Sequence, residues 1–210
     1  MLDTTRLPFF LTAALVLAIA PGPGMLYVLA RSLAGGRREG VLSSLGTFVG
    51  GMVHVLAAAA GVSLILARSA VAFAAVKYAG AAYLCFLGVR MILDAHRDPD
   101  SIPVEAGRST RNPFWQGIAT EVLNPKTALF FLSFIPQFVN RDLGHVFWQF
   151  VILGSISVGL NTSADLAVTF FAGPLGERIR SSARFRRTQR TATGAIMIGL
   201  GTYLALSKSE

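Results

Sequence analysis

From Leu7 to Ala30 the chain carries no charged residue, a run long enough to cross a bilayer as a helix. Pro21-Gly22-Pro23-Gly24 stands inside that run. Proline removes a backbone donor and glycine loosens the chain, so a helix through this segment is interrupted. In hydrocarbon a freed carbonyl costs several kcal/mol unless another group satisfies it. The segment therefore needs partners from elsewhere in the protein, or a water-lined cavity at the break.

Five further apolar blocks are long enough to cross: Val41–Ala67, Ala70–Leu93, Phe114–Val139, Val146–Gly173 and Thr191–Leu206, the last being the shortest. Charged residues make up 14% of the chain, against about 25% in soluble domains. The expectation is an all-α integral membrane protein. The resemblance of Arg6, the apolar run and Ala18-Ile19-Ala20 to a cleavable signal peptide is outweighed by continuation of the run to Ala30 and by the proline at the would-be cut. A single cysteine, Cys85, excludes an intrachain disulfide framework and a cysteine-based zinc site, and no cofactor is expected.

The net charge of +8 arises from bases lying between the apolar blocks, where topology signals belong, so no nucleic-acid partner is expected. Thirteen of the nineteen Lys and Arg fall in the first, third and fifth connections. These odd connections are expected to face the cytoplasm and both termini the periplasm. In that count Arg31 belongs to the first connection. The polar stretch Asp94–Asn112 reads as a flexible linker between two halves, residues 1–93 and 113–210. The run "ERIRSSARFRRTQR" reads as a second basic cytoplasmic stretch.

Each half holds three spans, so the second enters the membrane inverted relative to the first. Its first span is also interrupted, at Asn124-Pro125-Lys126, and Pro125 follows Pro23 by 102 residues. Paired breaks in corresponding segments point to an inverted-repeat transporter whose half-helix ends suit the carboxylate and ammonium of a zwitterion. The fold expected is six transmembrane helices as two inverted three-helix repeats with broken first helices. Pro21, Gly22, Pro23, Gly24, Asn124, Pro125 and Lys126 are then candidates for substrate binding.

"PGPG" in the first span, "KYAGAAYLCFLGVR" at 77–90 and "NPKTALFFLSFIPQF" at 124–138 resemble the LysE/RhtB family of amino-acid exporters, and the resemblance extends through "LGERI" at 175–179. It implies export of amino acids or close derivatives across a bacterial inner membrane, driven by an ion gradient. The broader superfamily includes metal exporters, but three histidines, one cysteine and no His- or Cys-rich tract argue against that branch.

Ionisable residues at membrane depth are costly and normally face the bundle interior or water. Asp165 lies about twenty residues into the fifth block, and Asn161, one turn earlier, shares its face. An acid at this point of the fifth span is also family-like. The carboxylate is a candidate counter-charge for a substrate ammonium or a proton carrier. Glu121, one turn before Pro125, is a second candidate for proton coupling. Lys126 could neutralise either acid or grip a substrate carboxylate. His54, alone within the second block, is a candidate proton relay. Lys77 near a span end is expected to snorkel to the surface. The pairs Gly46/Gly50, Ala57/Gly61 and Ser155/Gly159 are expected to bring helices close together, some of them across a homodimer.

The function expected is secondary export of an amino acid or derivative, with proton antiport. The alternatives are export of another small solute or a metal ion, or a channel or non-transporting scaffold in which the buried charges serve no purpose. An intramembrane enzyme would need a nucleophile–base or metal constellation, and none is evident in the sequence.

Overall fold

The computed structural model describes residues 5–68, 70–97, 112–140, 142–172 and 182–206. Among these the chain is helical throughout, with no strand. Helix α1 covers Leu7–Ile19 and α2 covers Pro23–Arg68, with a non-helical Gly36 inside it. Helix α3 is Ala70–Arg97, α4 Pro113–Val122, α5 Pro125–Leu129, α6 Val146–Phe170 and α7 Ala183–Leu206. A π-helical turn, Phe130–Phe134, and a 3₁₀ turn, Ile135–Phe138, continue α5.

Both sequence breaks are present. Proline occupies the start of the second piece each time, Pro23 in α2 and Pro125 in α5, where its missing N–H costs nothing. The axis bends by 46° between Pro113–Val122 and Pro125–Phe138. Asn124 caps α5 by accepting from Lys126 N at 3.1 Å, and Asn112 caps α4 by accepting from Phe114 N at 2.9 Å.

By length and composition three helical stretches, Pro23–Gly61, Lys77–His96 and Val146–Phe170, are able to cross a membrane, and the bent pair makes a fourth. Helix α1 is apolar but shorter than a full span. The protein is a membrane protein by these helices.

Helix α2 packs against α4 and α6, α1 against α6, and α3 against α7, so elements of the two halves interleave. The core is aromatic: Phe10, Phe131, Phe134 and Phe150 are buried with Val55 and Leu153. Phe134 stands 5.0 Å from both the Phe130 and the Phe138 rings. Glycine sets two close crossings. A Cβ on Gly117 would lie 2.7 Å from the Ser43 carbonyl, and one on Gly46 would run into the Phe114 carbonyl. Gly88 and Gly194 face one another between α3 and α7, each Cβ position 2.5 Å from the other's carbonyl oxygen.

Several expectations change. Lys77 does not snorkel: it is 1% exposed, with its ammonium 5.2 Å from the Tyr78 ring centroid. Arg31 is not a surface topology charge either. Helix α2 continues past Ala30, burying Arg31, whose guanidinium pairs with Glu39 at 3.5 Å across Gly36. Gly36 has φ +73°, a conformation that side chains resist. The stretch 94–97 is helical rather than linker, carrying the exposed pair Arg90–Asp94, while residues 98–111 lie outside the described ones. The basic run is helical from Ala183 onward, and "LGERI" lies outside the described residues. Among the described residues Gly61 and Gly159 have open space at their Cβ positions and hold no helices together, whereas Gly46 and Gly50 do.

Candidate functional site

Where α1 ends, the carbonyls of its last turn lose their helical partners. Lys126, the second residue of α5, supplies them: its Nζ donates to Leu17 O at 2.9 Å and Ala20 O at 2.7 Å. A cation at a helix C-terminus also opposes the partial negative charge gathered there. The side chain runs over Gly22, where a Cβ would sit 3.0 Å from Lys126 Cδ. Lys126 makes no ion pair with Glu121 or Asp165, because its donors are turned to backbone.

The other break is arranged in the same sense. His54 Nε2–H, from α2, donates to the Glu121 carbonyl at 2.9 Å, at the end of α4. The C-terminal end at each break thus takes a donor from the other half, although the Glu121 carbonyl also accepts from Asn124 N at 3.0 Å. His54 lies beside Phe131, ring centroids 6.2 Å apart, outside the cavity described next.

The Glu121 carboxylate accepts from Thr127 Oγ1 at 2.6 Å and Asn124 Nδ2 at 3.1 Å. It presses on Gly24, whose Cβ position its Oε2 would overlap. It therefore sits at the N-terminal end of α2, where a helix favours negative charge. Asp165 is 6% exposed and accepts from Thr47 Oγ1 at 2.9 Å.

These groups surround one cavity of ≈ 470 Å³, counted to its open mouth, between α1, α2, α4, α5 and α6. Gly22, Gly24, Glu121, Asn124, Lys126, Asn161 and Asp165 line it. The remaining candidates do not. Pro21 is half-buried and Pro23 and Pro125 are exposed, and all three shape the breaks without bordering the space. Asn161 donates to Ser157 O at 3.1 Å, so its amide is partly engaged within α6. Thr47, Met25, Thr127, Phe131 and Thr162 also line the cavity and were not singled out from the sequence as site residues. Thr47 had a faint signal, since Ser43, Ser44 and Thr47 form a polar patch in an apolar block. Among the described residues no group of three or more His, Cys, Asp or Glu converges as a metal site would require.

Residues 15–208 match the model of the LysE type translocators. The chain belongs to that family. Within it, the chain is 35% identical over 197 residues to an uncharacterized membrane protein of Pseudomonas aeruginosa, covering 89% of this chain and 88% of the relative. It is 29% identical over 206 residues to the uncharacterized membrane protein YrhP of Bacillus subtilis, covering 94% of this chain and 97% of the relative. A leucine efflux protein of Salmonella choleraesuis is 26% identical over 201 residues, 95% of this chain and 94% of its own. No solved structure matches. A LysE type translocator is a transport protein, in keeping with a cavity lined by opposite charges and helix ends.

Proposed function

We propose that this protein is a secondary exporter of an amino acid or amino-acid derivative across the bacterial inner membrane, coupled to proton antiport. The observation that carries the reading is the convergence of Glu121, Lys126 and Asp165 with both helix breaks on one cavity. A zwitterion's ammonium fits the Asp165 carboxylate. Its carboxylate is left to Lys126, which borders the same cavity, because the start of α2 is already held by the Glu121 carboxylate at Gly24. The relatives named leucine efflux proteins support an amino acid as substrate.

Two acids and one base leave the empty cavity with one net negative charge, which a proton or an incoming ammonium balances. Substrate and proton then compete for the same charge deficit, the requirement for exchanging them. On this reading the chain makes six crossings as two inverted repeats, with odd connections cytoplasmic and termini periplasmic. Alternating exposure comes from the halves moving about the fixed site, and a homodimer is compatible with the open glycines Gly61 and Gly159.

The test uses inverted membrane vesicles holding the protein, radiolabelled leucine and other amino acids, and an imposed proton gradient. Accumulation that collapses with the gradient and is lost in Asp165→Asn supports the proposal. If no amino acid moves and Asp165→Asn behaves as the parent, the exporter reading fails.

A further inference from the structure

The cavity changes character between one turn of helix and the next. At one level Thr47 of α2 meets Asp165 of α6. One turn on along α2, and two turns back along α6, Gly51 faces Val158. A Cβ on Gly51 would stand 3.0 Å from Val158 Cγ2 and 3.2 Å from its Cγ1, and both residues border the cavity. The missing side chain is therefore what keeps the space beside Val158 open. One turn further along both helices, the Cβ position of Gly154 lies 2.9 Å from Val55 Cγ1 and 3.0 Å from Phe131 Cε1. Phe131 borders the cavity whereas Val55 and Gly154 do not, so the space ends here.

The polar side chains beside this end are already engaged. Thr162 gives its hydroxyl proton to Val158 O at 2.9 Å, and Asn161 gives an amide proton to Ser157 O at 3.1 Å, so both serve their own helix. Glu121 approaches from α4, its Cγ 3.3 Å from the Cβ position of Gly50. Its carboxylate turns to Gly24, however, and accepts from Thr127 and Asn124. A charged group brought to Gly51 and Val158 would give up its water and find its nearest counter-charge already satisfied, which is costly. An apolar group there gains by leaving water.

We infer that Gly51, Val158 and Phe131 form the side-chain subsite of the transporter and select neutral amino acids with a compact aliphatic side chain. The inference rests on the exporter reading above, with the substrate ammonium on Asp165 and its carboxylate on Lys126. Lys126 has a donor to spare for that carboxylate, since two of the three on its ammonium go to Leu17 O and Ala20 O. Seven residues separate Asp165 from Val158, about 10 Å of helix. An ammonium contact followed by a short aliphatic chain fills that span. The subsite filters in two ways: its lining refuses charge, and the gap between Gly51 and Val158 sets the size. In an apolar pocket one methylene more or less changes preference roughly 10- to 200-fold, so two small residues are enough to decide which side chains pass.

Self-exchange in proteoliposomes tests the subsite without needing an ion gradient. Vesicles are loaded with one unlabelled amino acid, and entry of the same amino acid in radiolabelled form is followed, for alanine, valine, leucine, phenylalanine, lysine and glutamate in turn. In the parent, valine and leucine should exchange and lysine and glutamate should not. Val158→Ala should raise phenylalanine relative to leucine about tenfold, the order expected of space added to an apolar pocket. Gly51→Ala should lower leucine relative to alanine by a similar factor. Combining the two removes both methyl groups that the new Cβ would meet and should return the ratios toward those of the parent. A folding defect scales every substrate alike and leaves such ratios unmoved, and Val158→Ala decides the matter if Gly51→Ala yields no protein. Unchanged ratios in Val158→Ala, or lysine exchanging as fast as leucine in the parent, overturn the subsite and leave the exporter standing. If no amino acid exchanges in the parent, the exporter reading itself fails and the subsite goes with it.

Discussion

Lys126 lies across Gly22 so closely that a Cβ there would stand 3.0 Å from Lys126 Cδ and 3.3 Å from its Nζ. Glycine at this position is what lets a side chain of the second half reach the end of α1. Gly22→Leu should therefore displace the ammonium from Leu17 and Ala20 and abolish transport while membrane insertion persists. Fractionation with immunodetection, beside vesicle uptake, separates these effects, and a variant that transports normally would remove the lysine from the mechanism.

Removing the ammonium itself leaves two buried carbonyls without donors. Lys126→Met should cost about 1–3 kcal/mol of stability, the range for hydrogen bonds to a charged donor in a membrane protein. Thermal unfolding in detergent reads this as a lower midpoint. An unchanged midpoint would mean that the α1 end finds other partners.

Thr47 holds the Asp165 carboxylate from the opposite half. Thr47→Val should reduce transport several-fold, Thr47→Ser should restore most of it, and Asp165→Asn should be more severe than either. Initial rates against leucine concentration in inverted vesicles give the order. Equal activity of Thr47→Val and the parent would show that the hydroxyl has no part in positioning the acid.

Glycines divide into those that set crossings and those that face open space. Gly117→Leu and Gly194→Leu push side chains into backbone, and overpacking of this kind costs about 1–3 kcal/mol or more. Gly159→Leu meets nothing among the described residues and should leave the detergent midpoint unchanged. Should Gly159→Leu alter the sedimentation of the purified protein instead, that face belongs to a second copy.

The features that could be read from the sequence were those whose cost is local. Proline and glycine in an apolar run announce a break wherever they stand, so both interruptions and the residues beside them were identifiable. Asp165 and Glu121 stood out because charge in an apolar block needs a reason. Contacts between distant segments left no such mark. Nothing near Lys126 indicates that it will cap α1, since its acceptors are backbone carbonyls common to every residue. Lys77 and Arg31 were misplaced for a related reason: a base next to an apolar block is equally compatible with the surface and with a buried partner. The meeting of Gly88 with Gly194 depends on the α3–α7 crossing, which no local spacing encodes.

The reciprocal capping of the two breaks bears on how the protein is made. The carbonyls at the end of α1 wait for a lysine 109 residues further along the chain, and the Glu121 carbonyl is served by a histidine 67 residues back. Synthesis therefore delivers the first half to the membrane before the lysine that caps the end of α1 has been made. When α4 follows, its Glu121 carbonyl finds Asn124 N close by in the chain and His54 already made. Biogenesis of this protein is a handshake in which one hand is extended early and held out.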